Sequence, residues 1–232
     1  MPYLGNHHIV GDSVNNFKVL DDISSYTATF DGSASSVVST TDETIRIPEH
    51  RFIQGQRVTY NNGGGGNIGG LSSGTAYYVT FHTTHTFKLA ASLLDANNQN
   101  NINISSLGSG NSHTLTAAFD GINTKFKLTH GSGSTIRVVN PTQLNIAINN
   151  VIQWPNLAGE FTEGFAIEGG KNIVFKTAPT STDTFWGNTI FSAIFIFKLI
   201  ISSLAMFGKT LSLDDWAIAF NSFGYLWAKN WR

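Results

Sequence analysis

A ten-residue phrase occurs twice in this chain, and it restricts the architectures that the chain can adopt. Residues 27–36 read TATFDGSASS and residues 116–125 read TAAFDGINTK. In each copy an alternating run leads into Phe-Asp-Gly, a turn sequence, and polar, strand-like residues follow. Between the copies lies a Gly/Ser/Asn-rich segment with turns of its own. After the second copy a different alternating pattern runs to Gly187. One reading is a small β domain that begins near Tyr26 and carries a second β module inserted at its first turn. The alternative is two unrelated turns, because Asp-Gly favours a turn wherever it occurs. On the insertion reading, residues 1–36 form an N-terminal arm and the first strand of an outer β domain. Residues 37–117 are the inserted β module, 118–188 the rest of the outer domain, and 189–232 an apolar, helical tail. The expected fold class is mainly β: two small β-sandwich or barrel-like modules followed by that tail.

Composition agrees with short strands. The 232 residues include 23 glycines, and Asn, Ser and Thr are abundant, as in chains with many strands and tight turns. The length suffices for one large or two small cores. Net charge is −1 and only 12% of residues are charged. No basic field exists to hold a phosphate backbone, so nucleic acid is not an expected partner. Cysteine is absent, which removes disulfides and thiolate sites. Residues 1–6 (MPYLGN) have neither a basic start nor an apolar run, so no secretory signal is expected.

Taken in order, the leader contains His7-His8 and a weakly alternating stretch over residues 17–23 (FKVLDDI). It is too short to bury a core of its own and reads as a frayed terminus or an arm that packs elsewhere. Residues 44–48 (TIRIP), 57–60 (RVTY), 76–81 (AYYVTF) and 86–90 (TFKLA) read as strands. Residues 61–66 (NNGGGG) read as a loop, and 92–97 (SLLDAN) as one helical turn. Residues 101–104 (NINI) alternate, and residues 107–110 turn. After the second copy, residues 144–148 (LNIAI) and 151–154 (VIQW) read as a hairpin closed by Asn149-Asn150, because Asn tolerates positive φ; Pro155 stops the second strand. Residues 173–175 and 185–187 supply further strands. Turns recur at the spacing of an all-β module.

Two resemblances run through these phrases. Residues 47–60 (IPEHRFIQGQRVTY), 63–78 (GGGGNIGGLSSGTAYY), 86–95 (TFKLAASLLD) and 106–116 (SLGSGNSHTLT) resemble the tandem β modules of bacteriophage tail proteins and giant bacterial surface adhesins. The likeness covers roughly residues 44–116 and departs at Glu49–Phe52, where the pattern has a glycine near Arg51. Residues 149–155 (NNVIQWP), 173–179 (IVFKTAP) and 185–187 (FWG), with the opening Tyr3-Leu4-Gly5-Asn6 and residues 21–25 (DDISS), resemble tail-fibre and virion structural proteins of tailed bacteriophages, those of marine cyanophages most. The resemblance implies a non-enzymatic virion component of the tail, with other tail proteins as partners, homotrimeric assembly, and a host-surface glycan as a further partner. It implies no catalytic, cofactor or metal residues. The rival expectation is a carbohydrate-binding or glycan-cleaving β module.

Each chemical motif has a plainer reading beside it. A phosphate loop needs Gly-Lys-Ser/Thr leading into a helix; Gly63–Gly66 is followed by Asn-Ile-Gly-Gly with no lysine, so it reads as a flexible loop. His82 and His85, three apart, fall on opposite faces of a strand; they read as surface histidines, with His113 or His130 as further ligands only if the chain brings them near. His7-His8 lack a third ligand. Asp21-Asp22, Asp42-Glu43 and Asp214-Asp215 offer carboxylates, but glycosidase chemistry needs two across a cleft, and adjacent residues of a strand point apart. They read as turn and solvated residues. Tyr77, Tyr78 and Trp154 are candidates for stacking on sugars, and alternation turns about half of such a set into the core.

The resemblance gives out at the tail. Residues 189–207 read TIFSAIFIFKLIISSLAMF, nearly a membrane span in length. Lys198 lies at its centre, where a charge costs roughly 2.5–3.5 kcal/mol on insertion scales. Membrane contact is therefore less favoured than an assembly element, and an accidental reading-frame ending is the third reading. Ser212 and Asp215 suit a helix start, and Trp216, Phe220, Phe223 and Trp227 recur on one helical face.

Overall fold

Strand pairing here follows from alternation. The computed structural model describes residues 18–156 and 161–189. The expectations for His7-His8, for Asp214-Asp215 and for the tail beyond Thr189 lie outside these residues. The described chain is mainly β. Its first strands are β1 (Ser25–Phe30), β2 (Val38–Ser39), β3 (Thr44–Arg46), β4 (Arg57–Asn61), β5 (Ala76–Phe81), β6 (Thr86–Ala90) and β7 (His113–Ala118). They form one antiparallel sheet in the order β1-β7-β4-β5-β6-β3-β2. In β4 the inward positions are Val58 and Tyr60, and in β7 His113, Leu115 and Ala117. This period of two sends every second side chain to one face. That face encloses a core running from Ala28 to Ala117, with Phe52, Phe87, Ile45 and Leu115 buried within it. The Phe52 and Phe87 rings meet edge to face, 5.3 Å apart. Emptying either position to Ala would cost about 3–5 kcal/mol.

The two copies of the repeated phrase are partners in this sheet. β1 pairs with β7 along its whole length, Thr27 opposite Thr116 and Tyr26 opposite Ala117. The two threonine hydroxyls lie 2.8 Å apart. Each copy then turns on its aspartate: Asp31 Oδ1 accepts from the Ser33 amide (2.9 Å), and Asp120 Oδ1 from the Ile122 amide (2.9 Å). The glycines that follow serve different ends. A Cβ on Gly32 would stand 2.6 Å from the His113 ring, so Gly32 is small because a side chain packs on it. Gly121 has open space around it and φ +74°, so its glycine serves the backbone.

After β6, a short helix α1 (Leu93–Asn98) starts at Ser92, whose Oγ accepts from the Asp95 amide at 3.0 Å. It ends at Gln99 in the left-handed conformation. The Gly63–Gly66 stretch, expected to be flexible, is clasped to the turn after Leu107. Gly66 and Ser109 exchange two backbone hydrogen bonds of 3.1 Å, and Asn62 Nδ2 donates to the Gly65 carbonyl at 2.8 Å.

The remaining strands are β8 (Lys125–Lys127), β9 (Thr129–His130), β10 (Ser134–Thr135), β11 (Leu144–Ile148), β12 (Val151–Ile152), β13 (Phe165–Glu168), β14 (Asn172–Phe175) and β15 (Phe185–Thr189). They give three small sheets, β12-β11-β15, β13-β14-β8 and β10-β9. The leader joins two of them. Leu20 donates its amide to the Gly187 carbonyl (2.9 Å), and Asp21 donates to the Thr129 carbonyl (2.8 Å), so residues 18–21 lie between β15 and β9. Asn149 and Asn150 close the β11–β12 hairpin at φ +51° and +63°, the twist that two-residue hairpins favour. A second core contains Leu20, Ile23, Phe119, Phe126, Leu128, Ile146, Phe165 and Phe175. Phe119 meets Phe126 edge to face at 5.0 Å and Phe175 at 6.0 Å.

The two cores change over between Ile23 and Ala28, and again between Ala117 and Phe119. The N-terminal boundary expected at 36/37 instead falls inside a turn, where the Val37 amide donates to the Ala34 carbonyl at 2.9 Å. The strand before it, β1, packs with the first core because its full-length partner is β7. At the other end, the boundary expected at 188/189 cuts β15, whose Thr189 pairs with Leu144.

Candidate functional site

Polar side chains tie the two cores together and leave a groove beside the junction. Asp21 accepts from the Thr129 hydroxyl (2.6 Å) and from the amides of Ser132 (3.0 Å) and Gly133 (2.8 Å), with the Arg51 guanidinium 3.6 Å away. Burial pushes its carboxyl up, but these hydrogen bonds and Arg51 outweigh it and hold Asp21 below the usual range. Arg51 also lies over the Tyr26 ring, 5.1 Å from its centre. Farther along, Arg57 meets Asp120 at 2.6 Å. Asn123 closes that corner: its Oδ1 accepts from the Arg57 amide (2.9 Å) and its Nδ2 donates to the Arg57 carbonyl (2.9 Å). Gln56 donates to the Lys125 carbonyl at 3.2 Å. Lys127 reaches the His50 carbonyl at 3.5 Å, and burial, then Lys171 and Arg51, lower its pKa.

The groove has a volume of about 450 Å³, within the ~300–1,000 Å³ of small-ligand sites. One wall comes from the turn before β4 and from α1, with Leu93 and Asn97. The other comes from the loop of the second phrase, from β8 and from β14, with Ile122, Lys125 and Asn172. Tyr78 and Glu168 complete it. Lys125 and Glu168 pair at 3.1 Å across an exposed rim, where screening leaves such a pair worth little. Leu93 and Ile122 are 49% and 56% exposed, so the mouth offers apolar surface to solvent.

The residues singled out from the sequence do not converge. Tyr78 lines the groove, whereas Tyr77 points inward and its hydroxyl accepts from the Ser72 amide at 2.8 Å. Trp154 is exposed but is not among the groove's lining residues. His82 is on the surface, and His85 Nδ1 accepts from the Glu49 amide at 3.1 Å. His130 Nε2 lies 3.2 Å from Lys18 Nζ. His113 is enclosed in the first core. There the Tyr60 hydroxyl accepts from the Ile68 amide (3.1 Å) and donates to His113 Nδ1 (2.7 Å), while Nε2–H donates to the Ser109 carbonyl (3.1 Å). A carbonyl only accepts, so Nε2 carries the hydrogen of that contact. Asp22 Oδ1 caps the Ser24 amide (2.8 Å), and Asp42 accepts from the Ser39 hydroxyl (3.1 Å). Glu43 lies 3.9 Å from Lys88.

Sequence reasoning passed over His50, Asn97, Asn123 and Asn172. His50 is buried against Phe52, Phe81 and Phe87, donates from Nε2 to the Thr83 carbonyl at 3.0 Å, and burial lowers its pKa. Asn123 was legible in principle, since it follows the Asp-Gly of the second phrase by two residues. Comparison with known proteins adds no relative: no protein-family model, no curated protein and no solved structure matches this chain.

Proposed function

We propose that this chain is a non-enzymatic structural protein of a tailed-phage virion, a tail or tail-fibre-associated component that acts in assembly and in contact with the host surface. The observation that carries this reading is how the chain uses its carboxylates. Asp21, Asp31, Asp42, Asp120 and Asp183 each accept hydrogen bonds within a turn or between segments. They serve rigidity, and Glu168 is the one carboxylate among the described residues that line the groove. The resemblance of the ordered phrases to those of phage tail proteins supports the same reading. On this reading the two cores are small β-sandwich-like modules. The one between Ser25 and Ala118 is inserted into the one built from the leader and residues beyond Phe119. Other tail proteins are its partners, and a homotrimer is the expected assembly. Exposed Val151, Ile152, Trp154 and Trp186 supply apolar contact area for that assembly.

The second reading, a carbohydrate-binding module, is favoured by the groove. Electron microscopy of particles labelled with an antibody to the chain separates the two. Label at a fixed position on the tail supports the virion reading, and unlabelled particles refute it.

A further inference from the structure

We propose that the groove beside the core junction is a binding site for a neutral saccharide. The inference rests on the reading above that the chain meets a host surface, and it names what is met there and where. Polar side chains around the groove divide into two sets. Gln54, Gln56 and Asn123 are spent: Gln54 bonds the Ala96 carbonyl and the Phe81 amide, and the other two bond backbone groups across the junction. Tyr78 and Asn97 are not: among the described residues their side chains make no hydrogen bond. Asn172 Oδ1 is enclosed without a partner. Buried polar atoms without partners are rare enough to call for an explanation, and Asn172 Oδ1 is one at the groove's wall; the Tyr78 hydroxyl and the Asn97 amide, open to solvent, are the groups that a ligand in the groove would meet.

Charge selects the ligand's class. Arg57 is neutralised by Asp120 and Lys125 by Glu168. With Arg57 held by Asp120 and with Lys125 and Glu168 of opposite sign at the rim, the groove presents no excess charge to an ionic ligand, whereas a neutral polyol meets the amide and hydroxyl groups of Asn97 and Tyr78. The exposed aliphatic faces of Leu93 and Ile122 suit the C–H face of a sugar ring. An extended peptide fits less well. β4, β5 and β14 are interior strands with no open ladder edge, and edge strand β13 reaches the groove only with its last residue, Glu168. On edge strand β8, Gln56 already takes the Lys125 carbonyl.

The test uses the full-length chain on an array of glucose, mannose, galactose and N-acetylglucosamine hexasaccharides. Saturable binding to at least one is expected. Asn97→Ala and Tyr78→Phe should each weaken it by roughly tenfold, the loss of about one hydrogen bond, with the melting temperature unchanged. Trp154→Ala, outside the groove, should leave binding as it was. No binding at millimolar saccharide overturns the proposal, as does binding that falls with Trp154→Ala and not with Asn97→Ala. Saccharide binding by a chain missing from purified particles would sink the virion reading and leave the groove; the reverse pair of results would sink the groove alone.

Discussion

The Phe119 amide donates to the Ser24 carbonyl at 2.8 Å, across 95 positions of sequence. The chain leaves the second core at Ser24, builds the whole seven-stranded sheet, and returns within one hydrogen bond of where it left. Segments whose ends meet in this way can be removed with little strain on what remains. Replacing residues 25–118 by a short Gly-Ser linker should leave the second core folded. Circular dichroism with a cooperative denaturant transition checks this; loss of all β signal would show that the two cores fold only together.

Tyr60 holds the first core's buried polar chain. Tyr60→Phe keeps the ring and strips the hydroxyl, leaving the Ile68 amide and His113 Nδ1 without partners. The expected loss is about 1–3 kcal/mol, the usual penalty for an orphaned buried group. It should register as a lower denaturant midpoint with an unchanged slope. A variant as stable as the parent would show that water replaces the hydroxyl.

Asp21 gives the fold an acid-sensitive clasp. Its folded pKa lies below the ordinary 3.8, so the unfolded chain takes up this proton first as pH falls. The stabilisation is therefore complete above the unfolded value and is lost as pH drops from about 3.8 through the folded pKa. Thermal melts between pH 6 and pH 2.5 should show this loss. In Asp21→Asn the same scan should start from a lower stability and lose less on acidification. Parallel curves for the two proteins would remove Asp21 from the account.

At the β11–β12 hairpin the two asparagines should respond with opposite signs. Asn149 adopts positive φ, and its side chain also bonds Asp183 (2.6 Å) and the Thr184 amide (2.9 Å). Asn149→Ala should cost about 1–2 kcal/mol, from left-handed strain and lost hydrogen bonds. Asn150 has the φ without those partners, so Asn150→Gly should be neutral or gain up to about 1 kcal/mol. Chemical denaturation measures both.

Where one segment dictated its own geometry, the sequence was readable. Alternation located β4, β5, β6 and β11, Ser92 marked the α1 start, and Asn149-Asn150 announced a tight hairpin. What was hidden depends on partners distant in the chain. The repeated phrase looked like a pair of seams; that its strands pair with each other, Thr27 against Thr116 across 89 positions, was not legible in either copy alone. The Gly63–Gly66 run looked flexible because the Ser109 turn that clasps it lies 43 residues away. The groove was hidden for the same reason: Asn97, Ile122 and Asn172 meet only once both cores have formed. Among the described residues no helix is long and apolar enough to cross a membrane.

The central claim is that the chain is a stoichiometric part of a virion, and quantitative mass spectrometry of purified particles measures this directly. Peptides of the chain should appear at a constant ratio to the major capsid protein across independent preparations. The copy number should be a multiple of three. Absence from washed particles, or a ratio that drifts towards zero with each round of purification, would contradict the account.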